Sequence, residues 1–437
     1  VRYYLLAGLI SAVVSFALSW VVWKLGLKYH WYPKVRQRDV HRTPTPRLGG
    51  IAMFLGIIVS LLAAWFVFPH IAGVDYFRLV FAEPNRVLAV LAGATIIVVL
   101  GVADDIWDLD WMTKLAGQII AAGILAWQGV AIVALPIGNT LTVGSSYMSL
   151  IFTILAVVLV MNAVNFIDGL DGLVAGVAII AGGVFFLYSF FVNRIVVQTD
   201  FFFNLPSLLT AVLVGACFGF LLLNWHPAKL FMGDAGALLV GFLMATSAVS
   251  LTGNIDPAAV TNRQQLLPVF IPILLPFAIL VVPMLDFGLA VFRRLAAGKS
   301  PFSADRKHLH HRLLDMGHSH FHAVLIFYGW TAVVAVGCLL FLFWPWFWVL
   351  AFVAVGFVVC AVVTFAPLGR TKRAEIAAQT AGARGPRLDG TDARHDPLDR
   401  AAAGHTADGG RTDRRVTRPP TTPPRANPPH TTPGDPR

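Results

Sequence analysis

Long apolar runs separated by short polar breaks dominate this chain. A helix needs about 20 apolar residues to cross a bilayer. About eleven stretches qualify, near residues 3–27, 48–69, 86–103, 113–129, 147–164, 173–193, 206–224, 236–252, 268–292, 323–343 and 346–366. The pattern predicts an all-α polytopic membrane protein of about eleven transmembrane helices. The first run has no basic flank beyond Arg2 and no small-x-small cleavage site, so it reads as a retained span. The ninth carries Pro268, Pro272, Pro276 and Pro283, each lacking the N–H that a helix ladder uses, and is expected to be bent or broken. Between the fourth and fifth runs, residues 130–146 alternate weakly around Gly138-Asn139 and suggest a small hairpin. Beyond Pro367 apolar content collapses into Arg, Thr, Pro, Gly, Asp and Ala. The expected division is a transmembrane domain over 1–366 and a disordered tail over 367–437.

Composition agrees: 57% hydrophobic and 13% charged residues exclude an ordinary soluble domain. A net charge of +10 would suit nucleic acid, but the placement of the basic residues argues against that partner. Lys28, Lys34, Arg36, Arg38, Arg42 and Arg47 fill the loop after the first span, and Arg293, Arg294, Lys299, Arg306, Lys307 and Arg312 the loop after the ninth. Alternate loops carry few: Arg78 and Arg86, Arg194, Arg263. The positive-inside rule then puts the N-terminus outside and the C-terminus in the cytoplasm. Cys217, Cys338 and Cys360 all lie within apolar runs and read as packing residues.

Against that background the polar clusters stand out, because a carboxylate at a membrane helix is expensive and marks function by default. The fifth span ends in NAVNFIDGLDG, residues 162–172, with Asn165, Asp168 and Asp171. The third ends in GVADDIWDLDW, where helical spacing would put Asp104 and Asp108 on one face with Asp105 beside them. Like charges this close repel, so a cation, a shared proton or a positively charged loop is expected among them; the alternative, a solvated helix end, is weakened because acids at a helix C-terminus oppose the macrodipole. The seventh span runs into NWHPAKLFMGDAG, which brings Asn224, Phe231 and Asp234; alone, Asp234 would read as a helix cap. Together the acids suit Mg²⁺, which takes one or two carboxylates plus waters and substrate phosphates. HRTPTPRLGGI, residues 41–51, could offer backbone N–H groups and Arg side chains to a phosphate, or simply serve as a stiff basic connector. His308, His310 and His311, among Arg306, Lys307 and Arg312, would suit a polyanion; zinc ligation finds no cysteine or tight ligand spacing to support it, and exposed loop histidines are the plain alternative.

The set TPRLGG, DDIWD, NAVNFIDGLDG, NWHPAKLFMGDAG and HLHHRL, in this order from about Arg42 to Leu314, resembles the polyprenyl-phosphate N-acetylhexosamine-1-phosphate transferase family, glycosyltransferase family 4. The likeness is nearer to its WecA- and TagO-type branch, which makes lipid-linked N-acetylglucosamine, than to the peptidoglycan branch. Asp108 completes a D-D-x-x-D pattern where the peptidoglycan branch has a basic residue, and His308-Leu309-His310-His311 has the H-x-H-H form.

The resemblance implies transfer of N-acetylglucosamine 1-phosphate from a UDP-sugar to a deca- or undecaprenyl phosphate, with release of UMP. The active site would lie on the cytoplasmic face of a bacterial inner membrane. Mg²⁺, with Mn²⁺ as an alternative, would be held by Asp234 and Asp105. Asp104 would serve as base for the lipid phosphate beside Asp105. Asn165, Asp168, Asp171 and Asn224 would shape the nucleotide and metal pocket, Phe231 would carry the uracil, and His308, His310 and His311 would hold the sugar-nucleotide phosphates. A homodimer is compatible with this reading. The alternatives are a phospho-N-acetylmuramoyl-pentapeptide transferase of the same fold and, in another class, a cation-coupled transporter. The transporter needs charges near the midplane, whereas these acids sit at span ends.

Overall fold

The computed structural model describes residues 1–31, 45–72, 80–137, 140–195, 204–253 and 318–365, with a few positions between 270 and 295. In chain order the elements are α1 (Arg2–Lys28), α2 (Gly49–Leu62), α3 (Pro84–Trp107), α4 (Trp111–Trp127), strands β1 (Ala134–Ile137) and β2 (Thr140–Val143), α5 (Ser146–Ile167), α6 (Leu173–Ile195), α7 (Leu205–Asn224), α8 (Gly233–Gly253), α9 (His320–Leu340) and α10 (Trp346–Phe365). α2 continues through a π-helical turn, Ala63–Val67, into Phe68–Ala72.

Among the described residues nine helices are long and apolar enough to cross a membrane, and the protein is a helical, polytopic membrane protein. The predicted stretch 113–129 forms α4, which at 17 residues is shorter than those nine. The stretch 268–292, with its expected bend, and the tail from 367 lie outside the described residues. The hairpin is present: β1 and β2 pair antiparallel from Ala134↔Val143 to Ile137↔Thr140.

α8 is the axis of the bundle. Every residue from Ala235 to Thr252 is buried, and α2, α3, α5 and α7 pack around it. A helix without a polar face belongs in such a position. Two of its threonines are satisfied within the helix, as a dry interior favours: Thr246 Oγ1 donates to the Phe242 carbonyl at 2.7 Å and Thr252 Oγ1 to Ala248 at 3.1 Å.

α1 is held to α7 and α2 by small residues and serines. Ser11 Oγ donates to the Val212 carbonyl at 2.7 Å, Ser15 Oγ to Ala216 at 2.9 Å, and Ser60 Oγ of α2 to Ala7 at 2.6 Å. A Cβ on Gly215 would collide with the Gly8 carbonyl, so the two backbones approach to a distance only glycine allows. Lipid tails are as apolar as leucine, so such close packing replaces the hydrophobic drive of water. α10 is the peripheral helix, with Trp346 and Trp348 exposed at its first turn.

The connectivity collects one set of helix ends. α3, α5 and α7 finish where α2 and α8 begin, and the segment 45–50 is laced to 231–232 by backbone bonds. The Phe231 N–H donates to Pro46 O at 2.8 Å, Gly49 N–H to Phe231 O at 3.0 Å, and Gly50 N–H to Met232 O at 3.0 Å. TPRLGG and FMGD, distant in sequence, therefore share one end of the bundle.

Candidate active site

The four acids of DDIWDLD have four separate tasks. Asp104, in the last turn of α3, is buried and forms an ion pair with Lys114 of α4, Oδ2 to Nζ 2.5 Å, while its Oδ1 accepts the Leu109 N–H at 2.8 Å. Asp105 turns toward α8 and accepts the backbone N–H groups of Asp234 at 3.2 Å and Ala235 at 3.4 Å. Asp108 is exposed and left-handed, φ 55°, and closes α3. The sequence expectation that it shares a helical face with Asp104 is thereby corrected: the helix stops at Trp107, and aspartate tolerates the left-handed turn that follows. Asp110 caps α4, accepting the Thr113 N–H at 3.0 Å and the Thr113 hydroxyl at 2.5 Å, which hold its carboxyl below the ordinary range.

Asp234 stands in the first turn of α8, about one-third exposed. Its carboxylate is in hydrogen-bond contact with Asp104 and Asn165 and lies 3.5 Å from Lys114 Nζ. Asp104 and Asp234 thus share one ammonium. Gly233, just before it, has φ 69°, and a Cβ there would collide with Arg47 O and the Asp105 carboxylate, so this corner accepts only glycine. Gly101 does the same for α3, since a Cβ there would collide with the Ala235 backbone.

Asp168, just past the end of α5, completes the acidic group. It is half-buried by accessible surface but so enclosed by protein that its carboxyl is pushed up to about 7, first by desolvation and then by Asp234 and Asp105, with Arg47 opposing. Among the described residues no group of three His, Cys, Asp or Glu is arranged to hold a metal by itself. Burial raises the Asp168 carboxyl first, and the neighbouring Asp234 and Asp105 add to it; a cation beside these three acids would lower all of them.

Asp171, Asn224 and Phe231 form the adjoining wall. Asp171 is buried, and its Oδ2 accepts the Ala228 N–H at 3.1 Å and faces His226 Nδ1 at 2.7 Å. Asn224 is buried and uses both ends of its amide on the chain: Oδ1 accepts the Gly172 N–H at 2.9 Å and Nδ2 donates to Leu230 O at 2.9 Å. Tyr328 of α9 donates to Gly172 O at 2.6 Å. The Phe231 ring is half-buried at the turn before Asp234. His308, His310 and His311 lie outside the described residues.

Sequence reasoning overlooked Lys114 and His226. Lys114 had a signal, being the sole Asp, Glu, Lys or Arg within the apolar run 113–129, where a charge needs a partner. His226 had none, because its partner lies 55 positions away.

With this geometry in view, the profile of glycosyl transferase family 4 matches residues 87–252, from α3 through α8. A decaprenyl-phosphate N-acetylglucosaminephosphotransferase of Mycobacterium tuberculosis is 39% identical over 368 residues, covering 84% of this chain and 89% of the relative. The chain belongs to glycosyl transferase family 4. A protein of the same name from Mycobacterium leprae is 38% identical over 335 residues, 76% of this chain and 82% of its own length. A phospho-N-acetylmuramoyl-pentapeptide-transferase from a Thermoanaerobacter species is 28% identical over 263 residues, 55% of this chain and 74% of its own. The matched region of this family 4 chain contains Asp104, Asp105, Lys114, Asn165, Asp168, Asp171, Asn224, Phe231 and Asp234.

Proposed function

We propose that this family 4 transferase moves N-acetylglucosamine 1-phosphate from UDP-N-acetylglucosamine to a polyprenyl phosphate, giving polyprenyl-diphosphate N-acetylglucosamine and UMP. The observation that carries the reading is the meeting of Asp104, Asp234 and Lys114 at one end of an apolar bundle. Support for the sugar and the lipid comes from the 38–39% identical relatives, whose name specifies decaprenyl phosphate and N-acetylglucosamine.

Phosphoryl transfer between two anions needs charge neutralisation and in-line positioning more than a strong nucleophile. A phosphate monoester has its second pKa near 6, so the lipid phosphate arrives mostly deprotonated at neutral pH. Asp104 then has only a residual proton to accept, and its pairing with Lys114 keeps it oriented for that task. Asp234, fixed by the Asp105 cap and Asn165, with Asp105 as its neighbour, would hold Mg²⁺ or Mn²⁺. When bound, that ion would neutralise the diphosphate and the leaving UMP. Arg47 supplies a further positive group at the same rim. Asp168, Asp171 and Asn224 shape the nucleotide pocket, Phe231 offers a face to the uracil, and His308, His310 and His311 complete the phosphate contacts.

The surplus of basic residues in the loops after the first and ninth apolar runs supports a cytoplasmic active site with the N-terminus outside, in a bacterial plasma membrane. There a water-soluble UDP-sugar meets a lipid-borne phosphate. Catalysis belongs to residues 1–366, and 367–437 form a tail without catalytic duty. The test is product identification by mass spectrometry, with purified protein, Mg²⁺, defined UDP-sugars and prenyl phosphates. UMP release only with UDP-N-acetylglucosamine is expected; release only with the muramyl-pentapeptide nucleotide would move the chain to the other branch, and no turnover with either would overturn the reading.

A further inference from the structure

We infer that His226 is a positioning residue for the transfer, acting through Asp171; this deepens the reading above and rests on it. The loop from Trp225 to Met232 links the end of α7 to Asp234, and its approach sets where Phe231 and Asp234 stand. Its first half is tied down by one carboxylate. Asp171 Oδ2 faces the His226 ring at Nδ1, 2.7 Å away, and accepts the Ala228 N–H at 3.1 Å, two residues farther on. With a carboxylate as acceptor, Nδ1 carries the proton, which leaves Nε2 at the opposite edge of the ring.

A second element fixes the ring plane. His226 stacks on His320, the first residue of α9, with centroids 4.9 Å apart and planes 2° apart, while Trp225 meets Phe321 edge-on at 5.9 Å. α9 also reaches the Asp171 loop through the Tyr328–Gly172 bond. The loops carrying Asp171 and Asp234 are therefore triangulated against the same helix. Asp171 is buried, so its negative charge requires donors, and His226 is its charge-assisted side-chain donor at the rim. The His226 side chain is 41% exposed, which separates it from core packing.

The experiment compares His226→Asn, His226→Gln and His226→Ala in the full chain. The asparagine amide nitrogen falls near Nδ1 and can still reach Asp171; the glutamine nitrogen falls near Nε2 and cannot. Loss of a hydrogen bond to a charged group corresponds to a fall on the order of tenfold to a hundredfold. Expected are a fall of that size in kcat for Ala and Gln, recovery to within a few-fold of wild type for Asn, and little change in KM for prenyl phosphate. Hydrogen exchange across residues 225–234 reads the clamp without turnover, and it should quicken in Ala and Gln but not in Asn. Equal kcat in Gln and Asn, wild-type kcat in Ala, or a loss confined to KM would overturn the inference. Should the Ala protein fail to fold, the Asn and Gln pair decides alone. An inactive wild type with the expected exchange pattern would sink the transferase reading while leaving the clamp standing.

Discussion

Asp105 caps the helix that Asp234 opens: its carboxylate accepts the Asp234 N–H at 3.2 Å and the neighbouring Ala235 N–H at 3.4 Å. The adjacent Asp104 makes no such contact with α8 backbone and pairs with Lys114 instead. Two neighbouring acids therefore do different work, and substitution should separate them. Asp105→Ala removes a cap worth about 1 kcal/mol and should lower the melting temperature as well as turnover. Asp104→Asn should leave the melting temperature within a few degrees of wild type while turnover falls by at least a hundredfold. Thermal unfolding and UMP release in the same detergent preparation check both, and an inert Asp104→Asn protein that is also strongly destabilised would contradict the assignment.

Lys114 serves both Asp104 and Asp234. Removing it leaves two acids in contact with no ammonium between them. Lys114→Met should therefore abolish most turnover, and Lys114→Arg should restore only part of it, since a planar fork cannot take the place of a compact ammonium. Steady-state rates for the two variants decide the point; equal activity in Met and wild type would remove Lys114 from the site.

Asp168 makes the stability of the metal-free protein depend on pH. Its carboxyl is pushed up to about 7 from the ordinary 3.8, so the native state keeps a proton that the unfolded chain releases. Stability from this group is fully present below about pH 4 and is lost as the pH rises through about 7. In a chelator, wild type should melt at a lower temperature at pH 8 than at pH 5.5, and Asp168→Asn should flatten that difference. Added Mg²⁺ should raise the pH 8 value toward the pH 5.5 one.

Gly233 occupies a left-handed corner with Arg47 O and the Asp105 carboxylate where a Cβ would go. Gly233→Ala should cost about 2 kcal/mol or more, combining backbone strain with the collision. A drop of several degrees in melting temperature is expected, together with a loss of turnover, because the displaced atoms are those that hold Asp234.

The α1–α7 seam gives a control far from the chemistry. Ser15→Ala removes one interhelical bond, for which membrane proteins average about 0.6 kcal/mol, so activity and stability should stay near wild type. Gly215→Leu should prevent assembly, because the Gly8 carbonyl occupies the space of the new side chain. Detergent-resistant monodispersity on a sizing column measures the difference.

Sequence by itself determined the class of molecule and the end of it that matters. Apolar runs long enough to span a bilayer have few alternatives in water, and a carboxylate beside such a run is too costly to stand without function. Hence NAVNFIDGLDG, DDIWD and FMGDAG stood out in the sequence as a candidate site, and even the hairpin around Gly138-Asn139 was legible there. What only tertiary structure decided is the division of labour inside the site. Periodicity read Asp104 and Asp108 as one face, but the helix ends between them, and the acid that caps α8 comes from α3, 129 residues earlier. The Asp171–His226 and Asp104–Lys114 pairings likewise depend on where helices cross, which is set by small residues such as Gly101 against Ala235. Such contacts are made between surfaces that look alike as sequence, because in a bilayer both faces of a seam are apolar and only their shapes distinguish them.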